Sequence, residues 1–191
     1  MEVTNLLDIT TREELYRWYT QNHETAKDFW IRVNRSSTPT PEAIGYIDAV
    51  EVALCFGWID STQKRIDDGK PAQHFTPRRK RSNWCERNLI RCRRLVETGE
   101  MTPAGLAVAP DLDPAKFVYE KYFIKALKAD KQAWANYQNF PENYRRIKAD
   151  VIQHYFRTDR AEYGQKVLDK FGEDCKTGKL QPGWDDNGRI K

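Results

Sequence analysis

The chain has 191 residues and a formal charge of +4, from 32 Lys and Arg against 28 Asp and Glu. Its hydrophobic share of 39% is below the globular norm, yet 6 Trp, 9 Tyr and 8 Phe supply large burial units, which excludes disorder over most of the length. No stretch approaches the roughly 20 apolar residues of a membrane helix, and the acidic start lacks a signal-peptide core, so a cytoplasmic protein with no membrane insertion is expected.

In chain order, Thr10-x-x-Glu13 and Thr11-x-x-Glu14 form overlapping capping boxes, predicting a first helix with Leu15, Trp18, Tyr19 and Asn22 on one side. Asp28 to Asn34 alternates from Trp30 onward and reads as a short strand. Thr40-Pro41 predicts an N-cap with proline at the first helical position, and Ile44, Ile47, Val50 and Leu54 share a face of the helix that follows. Gly57 ends that helix.

Trp58 to Ile66 and Gln73 to Thr76 read as strands joined across Asp67-Asp68-Gly69-Lys70-Pro71, a hairpin signal. From Ser82 or Asn83 a helix is predicted to about Thr98, closed by Gly99, with Trp84, Leu89, Cys92, Leu95 and Val96 as its apolar stripe. Thr102-Pro103 starts a short helical segment that Pro110 stops. Residues 115–177 read as helices with breaks near Asp130, at Pro141 and at Thr158-Asp159; the last of them buries Tyr163, Val167, Leu168 and Phe171. The expected architecture is α+β: a small antiparallel sheet with packed helices over 1–110, a helical C-terminal module over 111–178, and a flexible tail over 179–191.

Charge is concentrated in one place. Arg78 to Arg94 holds eight Arg or Lys against the single acid Glu86, a local +7 that leaves the rest of the chain net acidic. Arg78-Arg79-Lys80-Arg81 leaves a strand and enters a helix, where the helix dipole and free amides would add to four cations. Arginine's planar fork suits phosphate oxygens. The bland alternative is a solvated surface, or arginines paired with Asp48, Glu51 or Asp60 inside the fold. Ser82 reads as the cap of the basic helix, and Trp84 as core or as a stacking platform.

Cys55-Phe56-Gly57-Trp58-Ile59-Asp60, Phe75-Thr76-Pro77-Arg78-Arg79, Ser82-x-Trp84, Asn88 and Gly99-x-Met101-Thr102-Pro103-Ala104-Gly105 resemble the YdeI/OmpD-associated family, also labelled bacteriocin-protection. The resemblance runs from about Leu15 to Gly105. It continues in outline through Ala126-Leu127, Trp134 and Tyr144-Arg145-Arg146, and departs from the family pattern at Tyr155-Phe156-Arg157-Thr158. It implies an intracellular fold with a YjbR/CyaY-like N-terminal part, and a role in stress or bacteriocin tolerance.

No motif announces catalysis. There is no Walker loop, GxGxxG, GxSxG, HExxH or CxxC, and His23, His74 and His154 are scattered, so neither a metal site nor a cofactor is expected. Cys55, Cys85, Cys92 and Cys175 read as reduced thiols. Cys85, among arginines near a helix start, is the one with conditions that lower a thiol pKa. Asp60 shares a strand face with Trp58, where it serves either as an acid or base or as a partner of Arg78 or Arg79.

Three functions compete. The first is binding of a phosphate-bearing partner such as nucleic acid through Arg78, Arg79, Lys80, Arg81, Ser82, Trp84, Asn88 and Asp60, with Trp58 and Phe75 among the aromatics around the basic block. The second is an enzyme or small-anion sensor with Asp60, Glu51, Arg78, Arg79 and Asn88 around one pocket. The third is a protein-interaction module.

Overall fold

The computed structural model describes residues 3–66, 69–79 and 82–191. Asp67 and Asp68 of the hairpin turn, and Lys80 and Arg81 of the basic run, lie outside them. The chain divides into two compact units: Met1–Asn83 with Arg91–Leu112, and Trp84–Ile90 with Asp113–Lys191.

The first unit is built on a small mixed sheet. Its strands are β1 (Leu6–Leu7), β2 (Phe29–Asn34), β3 (Ile44–Gly45), β4 (Trp58–Arg65) and β5 (Pro71–Pro77). The order is β1-β2-β5-β4, with β3 paired to β2. The three longer strands are antiparallel, whereas the two-residue β1 and β3 run parallel to β2. The hairpin forms where its turn signal placed it: Gly69 takes φ 74°, and Ile66 N–H donates to Lys70 C=O at 3.0 Å. Phe29 opposes Phe75, which in turn opposes Asp60, so these side chains share one sheet face; Trp30 opposes His74 on the other. Between Asp60 and Gln63 the register slips at a β-bulge. The buried Gln73 supports it, its side-chain amide donating to the carbonyls of Ser61 and Thr62 at 3.1 and 3.3 Å.

Helix α1 (Arg12–Asn22) opens with the expected capping box, in which Thr11 and Glu14 satisfy each other's backbone amides. It buries Leu15 and Tyr19, and Tyr19 meets Phe29 and Trp58 with ring centroids 5.5 and 5.3 Å apart. Helix α2 (Tyr46–Cys55) starts later than Thr40-Pro41 suggested. Ile44 and Gly45 pair with Val33 and Asn34 as β3, and a strand pairing across the fold outweighs a local proline signal.

Helix α4 (Pro103–Val108) docks on the end of α2. The Thr102 amide donates to Cys55 C=O at 3.3 Å, its hydroxyl donates to the same carbonyl, and the hydroxyl oxygen also accepts from Gly105 N–H at 3.3 Å. A Cβ on Gly105 would come within 2.4 Å of Cys55 O and 2.7 Å of Leu54 O. Gly57, at φ 75°, lies equally close beneath α4, where a Cβ would meet Val108 at 2.8 Å.

Helix α3 (Glu86–Glu97) begins after the predicted Ser82 or Asn83, and its residues from Arg91 onward count with the first unit. Ser82 is not its cap. The Ser82 hydroxyl accepts from Arg79 N–H at 3.0 Å, and Ser82 N–H donates to Arg79 C=O at 2.9 Å. Cys92 and Leu95 are buried as predicted, while Val96 is exposed. The buried stripe includes Arg91 instead.

The second unit is helical: α5 (Lys121–Lys128), α6 (Lys131–Asn139), α7 (Glu142–Phe156) and α8 (Ala161–Lys176), with breaks where the sequence placed them. Its core joins Phe123, Leu127, Tyr137, Tyr144, Ile152, Leu168 and Phe171. Tyr163, expected inside, is exposed. Segment 179–191, expected to be a flexible tail, packs on this unit through several contacts. Trp184 meets Tyr144 edge-on at 5.4 Å, Ile190 is buried with Ile90 and Ile147, and Asp186 accepts from Arg87 at 2.9 Å.

Two glycines separate close approach from open space. Gly105→Ala is expected to lower stability by about 3 kcal/mol through overpacking. Gly172→Ala on α8, with nothing within 4 Å of an added Cβ, should raise it by about 1 kcal/mol through helix propensity. Guanidinium unfolding midpoints of the two variants check this.

Candidate functional site

The basic segment is mostly engaged inside the fold. Arg78 is 7% exposed and donates to the Asn83 carbonyl at 3.3 Å, while its amide continues the hairpin to Gly57 C=O at 2.9 Å. Arg94 forms an ion pair with Glu51, and Arg93 donates to the Leu112 carbonyl at 2.6 Å. Arg91 is 6% exposed. Within the second unit, Arg87 binds Asp186 and the Gly183 carbonyl, each at 2.9 Å, and Glu86 pairs with Arg146 at 3.1 Å. Arg79 alone among the described cations of 78–94 is exposed, and its amide donates to the Ser82 hydroxyl. The candidates Trp84 and Asn88 belong to the second unit, Trp84 half-buried and Asn88 buried. Cys85, in the same unit, is exposed.

Glu51 organises the ion pairs of the first unit. It is 1% exposed and takes Arg94 on one oxygen and Arg12 at 3.0 Å on the other. Arg12 also reaches Asp48 at 3.4 Å and pairs with Glu100, whose second oxygen accepts from the Thr98 hydroxyl at 2.9 Å. Burial opposes the charge on Glu100, but the bonds from Arg12 and Thr98 outweigh it and hold its carboxyl below the usual range. Arg12 carries no sequence signal for this role. It stands 39 residues from Glu51 and 88 from Glu100, and only the fold brings the three together.

Asp60 has a different partner from the predicted arginines. The Tyr46 hydroxyl donates to Asp60 at 2.7 Å. The Arg35 guanidinium lies 3.6 Å above the Tyr46 ring and donates to Gln73 at 3.0 Å. Burial first, then the Asp60 charge and its hydrogen bond, push the Tyr46 hydroxyl up to about 12, while Arg35 and Arg91 pull the other way. Arg78 stands three residues along the chain beyond Phe75, the cross-strand neighbour of Asp60, or about 10 Å at strand rise. Of the five residues expected around one pocket, Glu51 pairs with Arg12 and Arg94, Asp60 with Tyr46 and Arg78 with Asn83, while Arg79 is exposed and Asn88 belongs to the second unit. Burial pushes the Cys55 thiol up to about 12, so it stays protonated and unreactive.

The opposite sheet face holds a polar group with no motif in the sequence. The Ser61 hydroxyl lies 3.0 Å from His74 Nδ1, and His74 Nε2 lies 3.8 Å from Asp28 Oδ1. The separation of 13 positions between Ser61 and His74 hid the pairing, because the bulge shifts the register that would have revealed it.

An α+β domain with an internal ion network is thus the class the fold defines. The chain belongs to the family described as Domain of unknown function (DUF8412), whose model matches residues 7–108, nearly the span of the first unit. No curated protein and no solved structure matches the chain. Among the described residues no helix is long and apolar enough to cross a membrane.

The Glu100 shift makes the Arg12 network depend on pH. A folded pKa below the unfolded value of about 4.3 gives stability that is full above that value and lost as pH falls through the folded pKa. The melting temperature of Arg12→Met should lie below that of the wild type at pH 6. The gap should narrow as pH drops from about 5 to 3, and a gap that stays constant over that range contradicts the network.

Proposed function

We propose that this protein is a cytoplasmic relative of YdeI/OmpD-associated proteins, and that its first unit binds a phosphate-bearing ligand, nucleic acid foremost. The contact is the start of the basic segment at Arg79, not the helix behind it. The supporting observation is the division of labour among the arginines. Arg87, Arg93 and Arg94 are spent on internal acceptors, and Arg78 and Arg91 are buried, while Arg79 is exposed. Lys80 and Arg81 follow in sequence and bring the local cationic contacts to three.

The number of contacts sets the expected salt dependence. Each neutralised phosphate on a duplex contributes about −0.9 to the slope of log K against log salt, so three contacts give roughly −3, where all eight cations of the segment would give roughly −7. Fluorescence anisotropy with labelled single- and double-stranded oligonucleotides should show the shallow slope. Arg79→Ala should reduce it by about one unit. Arg94→Ala should lower the melting temperature and leave the slope unchanged. Absence of binding at low salt, or a slope indifferent to Arg79, overturns the reading.

A second reading, a small-anion sensor or enzyme pocket around Asp60, is favoured by one observation: Arg35 lies over the Tyr46 ring whose hydroxyl holds Asp60, and the charge of Arg91 acts on that hydroxyl. A thermal-shift screen of inorganic phosphate and small dicarboxylates on Arg35→Ala and the wild type separates it from the first reading.

A further inference from the structure

The face of the sheet opposite Asp60 carries chemistry that neither reading uses. Ser61 sits on the β-bulge of β4, exposed, with its carbonyl and that of Thr62 tied down by Gln73. Bulges re-aim side chains and recur beside active sites. Here the bulge turns the Ser61 hydroxyl onto His74 of β5, 3.0 Å from Nδ1. His74 is 7% exposed and is held flat by Trp30, its ring stacked at 4.6 Å with an interplanar angle of 25°. Its far nitrogen, Nε2, faces Asp28 at 3.8 Å.

The Ser61 hydroxyl also lies 3.5 Å from the His74 carbonyl, which can take its proton when Nδ1 does not. A carboxylate beside Nε2 favours the proton on that nitrogen, which leaves the Nδ1 lone pair pointing at the Ser61 hydroxyl. Nucleophile, base and orienting carboxylate then stand in line, the arrangement by which an ordinary serine becomes nucleophilic. It is recognised by geometry and roles rather than by chain order, and the spacing to the third member is commonly loose before substrate binds.

We propose that Ser61, His74 and Asp28 form a nucleophile, base and positioning carboxylate that hydrolyse an acyl ester. Ser61 Oγ attacks the ester carbonyl carbon as its proton passes to His74 Nδ1. The bond from that carbon to the alcohol oxygen breaks, and the departing alcohol takes the proton back from Nδ1. Water then gives a proton to Nδ1 and its oxygen attacks the acyl-serine; Ser61 Oγ leaves and recovers the proton. The sum is ester plus water to acid plus alcohol. Asp28 stands beside Nε2 as the positioning carboxylate.

The same face indicates the class of acyl group. Ala72 lies two residues before His74 on β5 and is flanked across the sheet by Arg32 on β2 and Lys64 on β4. Two cationic side chains thus rise about 7 Å from the imidazole row, at strand spacing. An ester whose acyl chain ends in a carboxylate, such as a succinyl ester, fits that separation.

The test uses the full chain with p-nitrophenyl acetate and mono-p-nitrophenyl succinate, following nitrophenolate release, together with a fluorophosphonate probe read by intact-protein mass spectrometry. Wild type should take one probe at Ser61, and Ser61→Ala none. Hydrolysis by Ser61→Ala should fall by about 100-fold, within the range one positioned acid-base pair supplies. Succinate should be preferred to acetate by kcat/KM, and Lys64→Ala should remove the preference. Asp28→Asn should lower kcat with KM unchanged, and Asp28→Glu should recover part of the loss. Ser61 is exposed, so an unchanged melting temperature in Ser61→Ala confirms that the fold is intact. Wild type that hydrolyses no faster than Ser61→Ala, or that is labelled elsewhere than Ser61, overturns the proposal.

Discussion

A buried carboxylate dictates how the first unit uses its positive charge. Glu51, at 1% exposure, sits among apolar neighbours on α2, and an unpaired ion there would carry a penalty of several kcal/mol. Its two oxygens require cations, and the fold supplies Arg12 from α1 and Arg94 from α3. Arg12 in turn ties in Asp48 and Glu100, so α1, α2, the later part of α3 and the loop after it share one electrostatic knot. Removing one partner leaves the other charge buried, which is why such a knot constrains geometry more than it adds stability. The cost falls on function: arginines that look like a phosphate-binding helix in the sequence are committed inside the protein.

The motifs Cys55 to Asp60 and Gly99 to Gly105 turn out to be halves of one joint. Helix α2 ends with its last carbonyls lacking partners along the helix, as every helix does. Thr102 answers one of them with both amide and hydroxyl, and the absence of a side chain at Gly105 lets α4 approach the same carbonyls. Gly57 turns the chain with positive φ beneath that contact and starts β4. Cys55 to Asp60 and Gly99 to Gly105 are therefore architecture. They set the direction of β4, and so decide that Asp60 faces the helices while Ser61 faces the other way.

Much of the framework was legible in the residues. The Thr11 to Glu14 capping box, the hairpin around Gly69, the stop at Gly99 and the breaks at Asp130 and Pro141 act locally, and local signals survive into the fold. The failures share a cause. Ile44 became a strand because β2 offered a partner; Ser82 turned back on Arg79 instead of capping α3; the terminal residues found Tyr144, Arg87 and Ile147 to pack against. Each depends on a contact distant in sequence, which no window of neighbouring residues contains.

The candidate sites divide along the same line. By itself the sequence determined an α+β class, a first helix, a β4–β5 hairpin, a helical second half and a cluster of positive charge between Arg78 and Arg94, because propensity, capping and charge count are properties of neighbours. Only the tertiary structure decided which of those charges face water, that Tyr46 rather than an arginine holds Asp60, and that Ser61, His74 and Asp28 meet. Pairing between strands and between buried ions is set by register and packing. A single bulge residue is enough to change which side chains stand opposite one another.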